Sequence, residues 1–332
     1  MENPADSSLS GASSPPPHLL QISPPAQLTP LSLRETTKNH SNKTPITGPQ
    51  ALNPSNTTKM ASPLTATPSR TATLLSNLTT VSLRITTAAS TSSTSSQPKE
   101  PRLVAVSKLK PASDILALHT APPTGAGHQH FGENYQQELL EKSRLLPGSI
   151  KWHFIGGLQS NKCVTLAREV RGLWAVESVD SKKKAGLLNR GWGERAPALQ
   201  AEDHEARLRV FVQVNTSGEV EKSGVEPGRE AVELCRYIRE ECPLLKLAGV
   251  MTIGAIARSK AVKVGEENVD FVALRGVRDQ VVLELGLQQE GLELSMGMSE
   301  DFEGAIRLGS DQVRVGTGIF GERPPREEAR VV

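Results

Sequence analysis

No run of apolar residues in this 332-residue chain approaches the ~20 that a membrane-spanning helix needs, so no span is expected. Neither sign of charge dominates. The 38 Lys and Arg against 36 Asp and Glu leave a net charge of +2, which gives nucleic acid or an anionic membrane no electrostatic reason to bind. Cysteine is scarce: Cys163, Cys235 and Cys242 show no metal-type pairing and leave an odd count, as expected of a reduced, intracellular protein. The seven histidines do not organise into a metal site. His128-x-His130 has strand spacing without a third ligand and reads as structural. No Gly-x-Ser-x-Gly elbow and no Cys/His pair stands out. Only two tyrosines, Tyr135 and Tyr237, are present to act as acid or base.

Aromatics are missing altogether from the first hundred residues, where Ser, Thr and Pro dominate and no buried core can be built. We therefore divide the chain into a disordered tail (1–72), a folded domain (73–325) and a short charged C-terminal tail (326–332). Four Asn-x-Ser/Thr sequons, at Asn39, Asn42, Asn56 and Asn77, follow no secretory signal and carry little weight. From Met60 to Lys99 there are arginines but no acidic residue, a composition similar to a mitochondrial presequence. The expected location is the cytoplasm, with the mitochondrion as the alternative that this segment raises. Within it, Leu74, Leu78, Val81, Ile85 and Ala88 recur at three- and four-residue spacing and predict a helix over Leu74–Ala89, despite its threonines.

From Leu103 onward, short apolar runs alternate with amphipathic ones. Strands are expected at Leu103–Ser107, His128–Gly132, Lys151–Ile155, Leu173–Val176, Arg209–Val214, Leu247–Met251, Glu293–Met296 and Gln312–Val315. Tyr135–Leu146 and Arg229–Glu241 are the clearest helices, the second with Pro227 near its start and Pro243 beyond its end. Alternation of this kind over some 250 residues is the pattern of an α/β protein, a single closed (β/α)8 TIM barrel. An open doubly wound sheet would want a Gly-rich fingerprint after the first strand, and Lys108-Leu109-Lys110-Pro111 is not one. Little chain follows the eighth strand, so the Leu74–Ala89 helix is expected to cover the gap in the outer ring.

Chemistry in such a barrel sits at the carboxyl ends of the strands. After the first comes Lys108, which is either a solvent-seeking strand end or, desolvated beside Val104 and Val106, a Schiff-base former. After the seventh comes Ser299, either the N-cap of a helix Asp301–Leu308 or a donor to an anion. After the eighth comes Gly316-Thr317-Gly318, a turn whose amides can approach a bound phosphate. A lysine on the first strand beside a phosphate cradle on the last two is what pyridoxal 5′-phosphate (PLP) requires. Arg314 either points inward, towards a pyridine nitrogen, or makes a salt bridge on the outer face.

The segments Leu103–Lys108, His130–Tyr135, Trp152–Gly156, Leu158–Lys162, Val212–Asn215, Ser295–Ser299 and Val313–Gly321 resemble, in order, the pyridoxal phosphate homeostasis proteins. The resemblance implies a barrel like the N-terminal domain of alanine racemase, with PLP as an internal aldimine on Lys108. It implies phosphate contacts from Ser299, Gly316 and Thr317, Arg314 near the ring nitrogen, Asn134 beside the ring, and Met251 and Asn215 lining the pocket. Gly191–Arg207 and the basic Ala257–Glu266 depart from the family pattern. The implied role is that of a monomeric, non-catalytic carrier that buffers PLP or delivers it to apo-enzymes. The alternatives are a PLP-dependent amino-acid racemase on the same barrel and a Schiff-base aldolase without cofactor. Racemisation needs a second acid/base group across from the lysine, supplied by a second domain for which no sequence remains.

Overall fold

Eight parallel strands pair in chain order and the eighth returns to the first, closing a barrel: β1 (Arg102–Val106), β2 (His130–Glu133), β3 (Lys151–Phe154), β4 (Leu173–Val179), β5 (Leu208–Gln213), β6 (Leu245–Met251), β7 (Glu293–Met298) and β8 (Gln312–Val315). The closing register sets Arg102 against Gln312 and Ala105 against Val315. This computed structural model describes residues 64–91, 100–120, 122–255, 267–288 and 291–332, all within the compact unit Met60–Val332. Of the tail expected to be disordered over 1–72, residues 1–63 lie outside the described residues, whereas 68–72 form the first turns of a helix; residues 92–99 of the Ser/Thr loop and the whole basic stretch Ala257–Glu266 also lie outside.

The strands fall where the apolar runs predict, with shifted ends: β6 begins two residues early at Leu245, β2 two residues late at His130, and two strands run on at their carboxyl ends. β4 continues past Val176 through Glu177, and β7 past Met296 through Gly297, where φ is +93°. A charged residue and a glycine are poor strand signals, and both are accommodated here by barrel-interior pairing and by a bulge against β8.

The helices are α1 (Pro68–Ser90), α2 (Ala112–His119), α3 (Gln136–Leu145), α4 (Ser160–Glu169), α5 (Lys182–Gly193), α6 (Pro197–Gln200), α7 (Arg229–Glu241), α8 (Val269–Leu285), α9 (Phe302–Arg307) and α10 (Thr317–Phe320). α1 buries the stripe read from the sequence, Leu74, Leu78, Val81, Ile85 and Ala88, and starts earlier because Thr67 caps it and Pro68 occupies N1. Its threonines do not break it: Thr73, Thr79, Thr80, Thr86 and Thr87 donate their hydroxyls to the carbonyls four residues back. It packs on α2, α9 and α10, as the outer-ring gap requires. Arg70 pairs with Asp114 at 2.6 Å, and Arg84 pairs with Glu303 at 2.6 Å while stacking over Phe302.

The segment Gly191–Arg207 carries no family motif, yet it is firmly held. Arg195 is buried, pairs with Asp203, donates to the Ala167 and Val170 carbonyls, and stacks on Trp192. Most apolar burial lies between the strands and the helical ring. Inside the barrel the apolar cluster is small: Trp174, Ala175, Phe211, Ala248 and Met251.

The rest of the interior is a hydrogen-bonded polar chain. Glu177 is fully buried, and its carboxylate accepts from His153 Nδ1 (2.6 Å), Gln312 Nε2 (2.7 Å) and Ser295 Oγ (2.7 Å). Because a carboxylate only accepts, His153 must carry its proton on Nδ1, which leaves Nε2 to accept from His130 Nδ1 at 2.9 Å. His130 is thus structural, as its spacing suggested. Among the described residues no group of His, Cys, Asp and Glu is placed to hold a metal, and no helix is long and apolar enough to cross a membrane.

Candidate functional site

β1 ends at Val106, so Lys108 stands on the turn beyond the strand rather than on its face. The turn is tight. Lys110 N donates to the Ser107 carbonyl, and Leu109 adopts φ +63°, a region that costs a non-glycine residue of order 1 kcal/mol or more. What holds it is a buried lysine on α3. Lys142 Nζ, fully enclosed, donates to the Ser107 carbonyl (2.9 Å), Glu133 Oε1 (2.7 Å) and Glu138 Oε1 (2.6 Å). Glu133 also accepts from Ser107 Oγ at 2.7 Å, and Glu138 from the Leu109 amide at 2.7 Å. The residues on both sides of Lys108 are therefore pinned to one ion cluster.

Lys108 itself is left over. Its ammonium has no hydrogen-bond or ion-pair partner among the described residues. Burial, and then the charge of Arg323, pulls its pKa below the usual lysine value, against the weaker opposing effect of Glu133 and Glu138. A desolvated, unpaired amine is the state in which lysine attacks carbonyls.

Between the ends of β7 and β8 the Gly316 amide donates to Ser299 Oγ at 3.3 Å, which joins the two turns expected to form the anion cradle. Ser299 is not a helix cap: α9 begins at Phe302 with Asp301 in the cap position, and Asp301 Oδ1 accepts from the Met298 amide at 2.7 Å. That carboxylate closes the turn by itself and frees the Ser299 hydroxyl to face Gly316. Thr317 is exposed at the first turn of α10, where backbone amides have no intrahelical acceptor. Glycine keeps the turn open at 316, where a Cβ would crowd the Val106 carbonyl at 3.2 Å and displace Arg323 Nη2, 2.8 Å away.

Arg314 points inward, which settles the choice left open by its spacing. It is buried, donates to Ser295 Oγ and to the Thr252 carbonyl (2.7 Å), and lies 4.0 Å from Glu177. Burial pushes the Glu177 carboxyl up, but the hydrogen bonds from His153 and Ser295 and the charge of Arg314 hold it below its ordinary value. Asn134 follows β2, and its Oδ1 is buried with no hydrogen-bond partner. Met251 is sealed within the interior cluster, one residue before the Thr252 carbonyl that anchors Arg314. Asn215 spends its amide on the Glu219 carbonyl of its own loop.

Residues 87–324 match the family described as alanine racemase, N-terminal domain. The pyridoxal phosphate homeostasis protein of Schizosaccharomyces pombe is 44% identical over 229 residues, which cover 69% of this chain and 87% of that protein. The human protein of the same description is 42% identical over 230 residues, covering 68% and 77% respectively. The structure of PipY from Synechococcus elongatus with PLP bound superposes with a TM-score of 0.53 at 29% identity, covering 73% of this chain and all of PipY. The chain belongs to the pyridoxal phosphate homeostasis family.

Within that family's barrel, Lys108, Ser299, Gly316 and Arg314 gather at or just below the mouth, whereas Met251 and Asn215 serve the walls. Reading the sequence missed Lys142, Glu138, Glu177 and Arg323. Glu138 and Lys142 have the i,i+4 spacing of an ordinary exposed helix pair, which conceals their burial. Glu177 did leave a signal, a carboxylate directly after an apolar strand run, which calls for a partner inside the fold.

Proposed function

We propose that this protein binds PLP through Lys108 and serves intracellular vitamin B6 homeostasis as a non-catalytic carrier, buffering the cofactor and delivering it to apo-enzymes. The observation that carries this reading is an unpartnered, half-buried amine at the end of β1, on the same barrel mouth as a glycine turn already bonded to a serine hydroxyl. The residues present fit the group. Lys108 suits the aldehyde; Ser299, Gly316 and Thr317 suit the phosphate; Arg314 suits the ring nitrogen; and Asn134, whose buried Oδ1 has no partner, would stand beside the ring. Bound PLP supplies an electrophilic aldehyde and a ring that can accept electrons.

The chain's own groups favour holding over turnover. An arginine is a donor only and keeps its proton, so a ring nitrogen accepting from Arg314 stays unprotonated and the ring is a weak electron sink. A racemase also needs an acid/base group opposite Lys108. Tyr237 lies on the outer helix α7 under Lys182, and Arg326 covers the ring of Tyr135 at 4.6 Å. The proposal has the carrier monomeric and cytoplasmic, without nucleic-acid or membrane partners; the near-balanced charge supports the last point alone. A mitochondrial address read from the acid-free segment after Met60 is compatible only with a cut ahead of Thr67, because α1 is part of the barrel's outer ring.

Titration of the full-length protein with PLP should produce the long-wavelength absorption of a lysine-bound aldehyde, and Lys108→Ala should abolish it without lowering Tm. A band that survives in Lys108→Ala overturns the assignment of the lysine. Incubation of the loaded protein with D- and L-amino acids in deuterated water should give no more than stoichiometric α-proton exchange. Multiple turnovers would replace the carrier with an enzyme.

A further inference from the structure

The mouth holds more positive charge than its protein partners balance. Lys108 and Arg323 have no ion-pair or hydrogen-bond partner among the described residues, and the Lys110 ammonium finds only the Glu322 carbonyl. The nearby acids are already committed: Glu133 and Glu138 to Lys142, and Asp114 to Arg70. Arg323 reaches back from the segment after α10 onto the bare backbone of Gly316, so close that a Cβ there would meet its Nη2 at 2.8 Å. Ser299 Oγ touches the amide of the same glycine. A guanidinium, a hydroxyl and an open turn therefore converge on one point, with an unneutralised lysine beside it.

We infer that Arg323 is the specificity-determining residue of this mouth: it donates to the phosphate held at Gly316 and Thr317 and selects phosphorylated over unphosphorylated pyridoxal. The inference rests on the PLP reading above. A dianionic phosphate offers Arg323 a bidentate acceptor and neutralises the cations around it. The hydroxymethyl group of pyridoxal is uncharged and offers the exposed Arg323 and the half-buried Lys108 no charge-assisted hydrogen bond. The aldehyde end of the two ligands is the same, so any difference in their binding reports on the phosphate end alone.

The test compares full-length wild type, Arg323→Gln and Arg323→Lys, titrated with PLP and with pyridoxal while the long-wavelength band is followed. Arg323→Gln should weaken PLP about tenfold or more, the size expected for a lost charge-assisted hydrogen bond, and leave pyridoxal nearly unchanged. Arg323→Lys should recover part of the loss, since it keeps the charge without the fork. Separately, inorganic phosphate should raise the Tm of the ligand-free wild type and not that of Arg323→Gln. Equal weakening of both aldehydes, or an unchanged preference for PLP together with an intact phosphate-induced shift, overturns the role given to Arg323. If the wild type forms no band with either aldehyde, the cofactor reading falls, and the phosphate shift still decides whether Arg323 holds the anion.

Discussion

The two ends of this barrel treat positive charge in opposite ways. At the amino-terminal floor, Arg102 is held by Glu293 at 2.6 Å and 3.2 Å, and Arg209 by Glu205 and, more distantly, Glu293. Both guanidinium groups also stack on Trp174, at 4.6 Å and 4.4 Å. At the mouth, Lys108 and Arg323 have no such partners among the described residues. A cation held by a carboxylate has its charge already balanced; one without such a partner, like the half-buried Lys108 and the exposed Arg323, keeps its charge available to a ligand. The floor is thus a closed electrostatic unit that contributes stability, and the mouth is an incomplete one that awaits an anion and an aldehyde. The chain His130–His153–Glu177–Ser295–Arg314 links the two and orients Arg314 from below.

The largest expected effect comes from removing α1, which packs along the outer ring and braces the mouth through α10. Arg70 donates to the Phe320 carbonyl (2.8 Å) and Asn77 to that of Ile319 (3.0 Å), both in α10. Leu74, Leu78, Val81 and Ile85 are buried against the ring. At roughly 1.5–3 kcal/mol for each large apolar side chain, their loss approaches the whole stability of an ordinary domain. A chain beginning after Ser90 should therefore show no cooperative thermal transition, while one beginning at Leu64 should melt at the full-length Tm. A folded product from the shorter chain would detach α1 from the domain.

That dependence also shows what the sequence disclosed and what it hid. The barrel, the role of α1 and the meeting of Ser299 with Gly316 were legible because periodicity, turn glycines and strand order are written locally. Polar groups that find partners across the barrel were not. Glu177 receives Ser295, 118 positions away, and Gln312, 135 positions away, and no spacing rule reaches that far. The cap at α9 went to Asp301 rather than Ser299 because two acceptors compete within three residues, and the decision rests on turn geometry. Lys142 was hidden for the opposite reason: its local spacing had an ordinary surface explanation.

A pair of substitutions of intermediate effect sharpens the comparison. Lys142→Met leaves Glu133 buried without its cation and releases the Lys108 turn, so a loss of about 3–5 kcal/mol in denaturant unfolding and slowed PLP capture should appear together. Arg102→Met at the floor should cost about 1–2 kcal/mol through the lost ion pair and ring contact, and leave the PLP titration unchanged. If Arg102→Met weakened capture as much as Lys142→Met, the two ends would not be separate units.

The smallest effect expected is an acid-dependent loosening of the interior chain. Burial holds His128, His130 and His153 neutral, lowering each below the ordinary imidazole value, His128 to about 4. Unfolding restores a pKa near ~6.5, so below that pH the unfolded chain binds more protons than the folded one. Their contribution to stability is complete above about pH 6.5 and is lost as pH falls towards 4. Glu133 and Asp203, both pushed up by burial, work in the opposite sense, but they are two groups set against three. Tm should therefore be level between about pH 7 and 8 and decline from about pH 6.5 down to 5. His153→Gln should shift the curve down and flatten its acid limb, since one of the three groups that take up a proton on unfolding is gone. A Tm that stays level to pH 5 would mean that the imidazoles are protonated in place, and Glu177 would then have to hold a cationic His153 as well as orient Arg314.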